Sequence, residues 1–133
     1  MRLCLDTSAY SAFKRGDEAV LRLLRRADEI VLPAVVLGEL RAGFRAGTRE
    51  RRNLEELEAF LDSPRVGAAA IDDDTAIRYA EIVSYLRAEG SPIPTNDIWI
   101  AASAMQWGLR MLTRDAHFTR LPQVSVEPLP PRN

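Results

Sequence analysis

The sequence predicts an α/β protein, a three-layer α/β/α sandwich around a central, mostly parallel sheet. Two observations lead there. Short apolar runs of strand length alternate with helix-length amphipathic segments throughout the chain, as when parallel strands are joined by crossover helices. The 133 residues, 47% of them hydrophobic, suit one domain that can bury a core without disulfide or zinc staples. A single domain over residues 1–126 is expected, followed by an extended, frayed proline-rich tail over 127–133.

Taken in order, Arg2-Leu3-Cys4-Leu5 reads as a short buried strand ending at Asp6. Thr7 or Ser8 is placed to cap a helix through about Lys14, and Gly16 ends it. A second helix runs from about Asp17 to Asp28, with Val20, Leu21, Leu23 and Leu24 inward and Arg22, Arg25 and Arg26 outward. Ile30-Val31-Leu32 is the second strand. Pro33 then opens a helix with Val36, Leu37, Leu40 and Phe44 at helical spacing and Glu39 among them. After a break at Gly47 and Thr48, a polar helix with Leu54, Leu57 and Leu61 as its stripe reaches about Leu61. Val66 to Ile71 is expected as a third strand, although its alanines weaken β propensity. Asp72, Asp73 and Asp74 precede a long helix to about Glu89 with a stripe of Ile77, Ala80, Ile82, Val83 and Leu86. Residues 90–94 form a loop. Thr95 caps the next helix, with Ile98, Ala101, Ala102 and Met105 inward and Gly108 at its end. Met111-Leu112-Thr113 is a strand running into Arg114-Asp115. A brief turn over Ala116 to Arg120 and a last strand over Val124 to Val126 complete the domain.

Composition narrows the chemistry. The net charge of −1 supplies no global field for nucleic acid, although 17 of the 18 basic residues are Arg, whose guanidinium suits phosphate. No apolar run approaches the roughly 20 residues of a membrane span. The opening Met1 to Ser8 is too short and polar for a signal peptide, so a cytoplasmic location is expected. One cysteine, Cys4, excludes a disulfide framework or a cysteine zinc site, and it reads as a small buried hydrophobe. One histidine, His117, excludes a multi-histidine site and is expected in a structural or surface role. Any metal is therefore expected on oxygen ligands.

Of 19 acidic residues, four stand out of place. Glu39 lies between Val35-Val36-Leu37 and Leu40, and Asp97 precedes Ile98-Trp99-Ile100. Asp6 and Asp115 follow apolar strands, where ligands of open α/β sheets bind. Carboxylates gathered in one cleft repel each other, and a divalent cation relieves that repulsion. Such an ion favours deprotonation of water and offsets charge on a phosphoryl transition state, which is what phosphodiester hydrolysis needs. Each acid also has a structural reading: Asp6 as a helix cap, Glu39 as a surface helix residue, Asp97 as a dipole complement, Asp115 as a turn residue.

The segments Leu5-Asp6-Thr7-Ser8, Glu39-Leu40-Arg41-Ala42-Gly43, Pro94-Thr95-Asn96-Asp97-Ile98-Trp99-Ile100-Ala101-Ala102 and Leu112-Thr113-Arg114-Asp115-Ala116-His117-Phe118 together resemble PIN-domain proteins, specifically the VapC-type toxins of toxin–antitoxin pairs. The resemblance spans about residues 1 to 126. It implies a PIN-like fold and a Mg2+- or Mn2+-dependent endoribonuclease held in check by an antitoxin. Asp6, Glu39 and Asp97 match the core acids, and Asp115 matches a more permissive fourth position. Thr113, Asn96 and Thr7 match supporting positions. A homodimer, an RNA substrate and a hetero-oligomer with the cognate antitoxin are implied as well.

Arg41, Arg45, Arg49, Arg51 and Arg52 cluster near Glu39 with Glu50 opposing them. They read either as a rim for RNA phosphate or antitoxin or as a solvated helix face. Arg114 is open to contact with RNA phosphate or to an ion pair. The Asp72-Asp73-Asp74 run reads as helix capping, and Trp99, Trp107 and Tyr85 as core or dimer packing. An aspartyl phosphatase would want Asp-x-Asp where the chain has Asp6-Thr7-Ser8. A receiver domain would want a lysine near the last strands, and the only lysine is Lys14. The remaining alternatives are a non-catalytic PIN-like metal- or RNA-binding module and a solitary PIN nuclease without an antitoxin.

Overall fold

The computed structural model describes residues 1–130. Five strands, β1 (Arg2–Leu5), β2 (Glu29–Pro33), β3 (Val66–Ala69), β4 (Arg110–Leu112) and β5 (Val126–Glu127), form one sheet in the order β3-β2-β1-β4-β5. Every pairing is parallel. Six helices flank it: α1 (Thr7–Lys14), α2 (Glu18–Arg26), α3 (Ala34–Ala46), α4 (Glu50–Leu61), α5 (Asp73–Glu89) and α6 (Thr95–Trp107). A sheet covered on both faces needs strands apolar on both sides. The central strand meets that demand, with Leu3, Cys4 and Leu5 wholly buried. The chain steps outward from β1 through β2 to β3, then crosses back to lay β4 on the other side of β1. Strand order therefore reverses between β1 and β4, and the crevice beyond their carboxyl ends lies just past Leu5 and Leu112.

Several local expectations shift. α1 is capped by Asp6, whose carboxylate accepts from the Ala9 N–H, and not by Thr7 or Ser8. Those two hydroxyls are engaged elsewhere. α6 starts after Pro94 with no side-chain cap, so Thr95 is its first residue. β5 pairs two residues later than expected. Val126 and Glu127 meet Met111 and Leu112, which carries the sheet one residue past the expected domain edge at 126. Pro128 to Pro130 are not frayed: Leu129 packs against the core and the Pro130 carbonyl accepts from Arg114 Nη1. The rest of the expected tail, 131–133, lies outside the described residues.

The stripe of α5 also differs. Ile77 is 48% exposed and Ala80 is exposed, while Thr75, Ile82 and Leu86 are buried and Tyr79 stacks on Trp99 at 4.0 Å between ring centroids. Thr75, Tyr79, Ile82 and Leu86 follow helical spacing, and Ile77 sits about half a turn from that line, on the opposite face. α5 packs on α6, which is buried nearly all round because Ala101, Ala102, Ser103 and Ala104 let neighbours approach from two sides. The Asp72 run does what capping requires: Asp72 forms a capping box with Thr75. No helix among the described residues is long and apolar enough to cross a membrane.

Candidate active site

Asp6 follows β1 directly and is 4% exposed. Its Oδ1 accepts from the Ala9 N–H at 2.9 Å and the Ser8 hydroxyl at 2.7 Å, and its Oδ2 accepts from the Thr113 hydroxyl. Burial raises its pKa, and the Asp115 charge adds to the rise, while those hydrogen bonds oppose it. Thr113, one residue past β4, joins two acids, because its Oγ1 also accepts from the Asp115 N–H at 2.9 Å.

The chain then enters a 3-10 turn (Ala116–Arg120) whose first free N–H groups Asp115 helps to satisfy: its Oδ1 accepts from the His117 N–H at 2.9 Å. The turn swings the His117 ring back so that Nδ1 lies 2.8 Å from Asp97 Oδ2 and 3.0 Å from Asp115 Oδ1. Asp97 sits in the first turn of α6, and its pKa is raised, chiefly by burial, with Asp115 and Glu39 adding to the rise and His117 opposing it.

Glu39, on the face of α3 turned toward this crevice, accepts from the Thr7 hydroxyl at 2.7 Å and from the Asn96 amide at 3.2 Å. Thr7 adjoins Asp6, and Asn96 adjoins Asp97. Two hydrogen bonds thus tie α1, α3 and α6 together at one point and bring the fourth acid in. Across this crevice Asp115 bears on Asp6, and Asp115 and Glu39 both bear on Asp97. Two of them also fill their structural roles, since Asp6 caps α1 and Asp115 caps the 3-10 turn with the same side chains.

His117, expected from sequence in a structural or surface role, stands at the site. Asp97, Asp115 and His117 each offer a ligand atom within 4.8 Å of the others, a grouping that could hold a metal ion. The spacing Asp115-Ala116-His117 carries the signal only once a tight turn is known to follow. Ser8 is a second addition, holding Asp6 and accepting from the Arg114 N–H at 3.1 Å.

The basic residues divide. Arg114, open to an RNA contact from sequence, turns inward to pair with Asp17 at the start of α2, both side chains under a fifth exposed. Arg41 and Arg45 are exposed on α3, and Arg45 faces Glu50 at 3.9 Å. The cluster is less free than it reads, since Arg51 pairs with Glu55 and Arg52 with Glu56 one helical turn on.

A fit to a divalent cation follows from the donor chemistry. Asp97, whose pKa burial raises, Asp115 and the His117 ring nitrogen converge at one mouth, and Asp6 adds negative charge beside Asp115. Comparison with known proteins identifies the family. The chain is 35% identical over 92 residues to Ribonuclease VapC4 of Mycobacterium tuberculosis, an alignment covering 69% of this chain and 71% of that protein. It superposes on the VapBC2 structure from Rickettsia felis, bound to a promoter DNA fragment, with a TM-score of 0.82 and 25% identity over 96% of this chain and 98% of that one. VapBC-5 of Mycobacterium tuberculosis, of the VapBC family of toxin–antitoxin systems, superposes with a TM-score of 0.76 and 29% identity over 94% of this chain and 96% of that one. The PIN-domain profile matches residues 3–124, nearly the whole sheet and every residue of the acidic crevice, so the chain belongs to the PIN-domain family.

Proposed function

We propose that this protein is a divalent-metal-dependent endoribonuclease and the toxin of a toxin–antitoxin pair. The observation that carries the reading is the convergence of Asp97, Asp115 and His117 within 4.8 Å at a crevice that Asp6 and Glu39 also reach. The name of the relative VapC4 supplies the ribonuclease activity, and the VapBC likeness supplies an antitoxin partner.

Asp97 and Asp115 are the direct ligands in this reading, with Asp6 and Glu39 completing the negative shell. Carboxylate oxygens suit Mg2+ or Mn2+. A bound cation would supply Lewis acidity and offset the charge that develops on the phosphodiester. The chain's own groups do the rest. Thr113, Ser8 and the Ala9 N–H orient Asp6 and oppose the upward pull of burial on its pKa. Thr7 and Asn96 aim Glu39. The His117 ring stands between Asp97 and Asp115, with Nδ1 facing an oxygen of each. RNA is the substrate in this reading, and a cytoplasmic location goes with it. The chain acts as a homodimer and joins its antitoxin in a hetero-oligomer.

Purified protein freed of any antitoxin should cleave single-stranded RNA with Mg2+ or Mn2+ and stop on chelation. Asp97→Asn should lower cleavage at least about a hundredfold, the loss expected when a charged transition-state contact is removed, with an unchanged circular dichroism spectrum. Full activity in Asp97→Asn would sink the assignment.

A further inference from the structure

A second concavity lies between α1, α3 and α4. It encloses about 530 Å3, within the range of roughly 300–1,000 Å3 of ligand pockets. Its cations are Lys14 in the last turn of α1, Arg15 just beyond it, Arg49 just ahead of α4 and Arg52 in the first turn of α4. A single carboxylate, Glu56, serves two of them, at 2.9 Å from Lys14 Nζ and 3.2 Å from Arg52 Nε. Those two cations in turn lower the Glu56 pKa, so the carboxylate stays ionised and occupied. Neither Arg15 nor Arg49 has a carboxylate partner among the described residues. Four cations thus face one anion in a chain of net charge −1.

The helices that line this cavity are those that carry the acidic site. α1 begins at Thr7, which holds Glu39, and Ser11 and Arg15 follow one and two turns on, about 6 and 12 Å along the axis at 1.5 Å per residue. On α3, Leu40 lines the cavity and adjoins Glu39. The acidic crevice repels the backbone of any nucleic acid that enters it. A strand held there needs countercharge close by, and the chain's overall charge supplies none. Leu40 and Phe44 give the cavity an apolar floor, and Ser11 and Asn53 offer neutral donors for phosphate oxygens.

We propose that the α1/α3/α4 cavity binds backbone phosphates of the RNA strand that flank the one being cleaved, with Arg15 and Arg49 as the principal contacts. The assignment rests on the ribonuclease reading of the neighbouring site. RNA is preferred to an acidic peptide because the cavity shares α1 and α3 with the acidic crevice, so phosphates flanking a strand in that crevice lie within reach of its cations.

The test is fluorescence anisotropy of a short labelled single-stranded RNA in chelator, where no cleavage occurs, across a salt series, together with steady-state cleavage in Mg2+. Arg15→Gln and Arg49→Gln should each flatten the plot of log affinity against log salt by about 0.7, the value of one single-strand phosphate contact. Each should raise KM about fivefold with kcat unchanged within about twofold, as loss of uniform substrate binding predicts. Arg49→Lys should recover most of the slope. Arg25→Gln, an equal charge change on the outer face of α2, should leave slope and KM as in the wild type. Wild type that cleaves RNA while the two cavity variants match it in slope and KM overturns the cavity assignment alone. Tighter binding of a polyglutamate peptide than of RNA, lost in both variants, also overturns it and makes the cavity a peptide site. Wild type that neither binds nor cleaves RNA overturns the ribonuclease reading and the cavity with it.

Discussion

Asp6 is the most desolvated of the four acids, and it does two jobs with one carboxylate. Oδ1 caps α1 while Oδ2 is held by Thr113 across the switch point. Burial raises its pKa above the ordinary 3.8, so the folded protein binds that proton more tightly than the unfolded chain does. Its contribution to stability is therefore complete below about pH 4 and is lost as pH rises through the raised folded value. Asp6→Asn keeps the cap acceptor and removes the charge. In chelator, its melting temperature relative to wild type should be higher at pH 7.5 than at pH 4, read by thermal denaturation at the two pH values. A difference that does not change with pH would mean that the carboxylate carries no such strain. Arg114 shows the same logic with the opposite sign. Asp17, hydrogen-bonded by the Val20 N–H and paired with Arg114, has its pKa lowered. That contribution is present above the ordinary carboxylate range and lost as pH falls through the depressed value.

The join between α6 and β4 sets where Thr113 and Asp115 stand. α6 stops at Gly108, whose φ of 63° is left-handed, and the chain turns at once into β4. A Cβ there would meet only Arg2 Nη1 at 3.9 Å, so an alanine has room but not the conformation. Gly108→Ala should cost about 1 kcal/mol, or roughly 3–5 °C in melting temperature, with RNA cleavage intact because β4 keeps its pairing with β1. An unchanged melting temperature would show that the turn relaxes out of the left-handed region. α6 itself differs from its sequence reading for a related reason. Its periodicity shows one inner face, but its run of small residues lets α5 pack against a second, so every residue from Ile100 to Ala104 is buried.

At the scale of the molecule, five parallel strands and six helices hold four acids around one crevice, where Asp115 repels Asp6 and both Asp115 and Glu39 repel Asp97. A ligand that binds only the folded state stabilises it by mass action. Mg2+ or Mn2+ at a hundred times its dissociation constant should add about 2.7 kcal/mol, seen as a rise in melting temperature that Asp97→Asn abolishes. Wild type that melts at the same temperature with and without either cation would exclude the crevice as a metal site.

Alternating apolar runs sufficed to set the fold class, because a sheet buried on both faces demands continuous hydrophobic strands and its crossovers demand amphipathic helices. The same reading singled out Asp6, Glu39, Asp97 and Asp115, because a carboxylate beside apolar neighbours is locally conspicuous. Their convergence, with Glu39 reached through Thr7 and Asn96 and Asp6 through Thr113, depends on the crossover that places β4 beside β1. The position of His117 depends on a 3-10 turn five residues long, and the inward turn of Arg114 on an acid 97 residues away in sequence. Local pattern reports what a residue needs from its surroundings. Only the tertiary structure decides which distant partner supplies it, because contacts across the sheet leave no periodic trace along the chain.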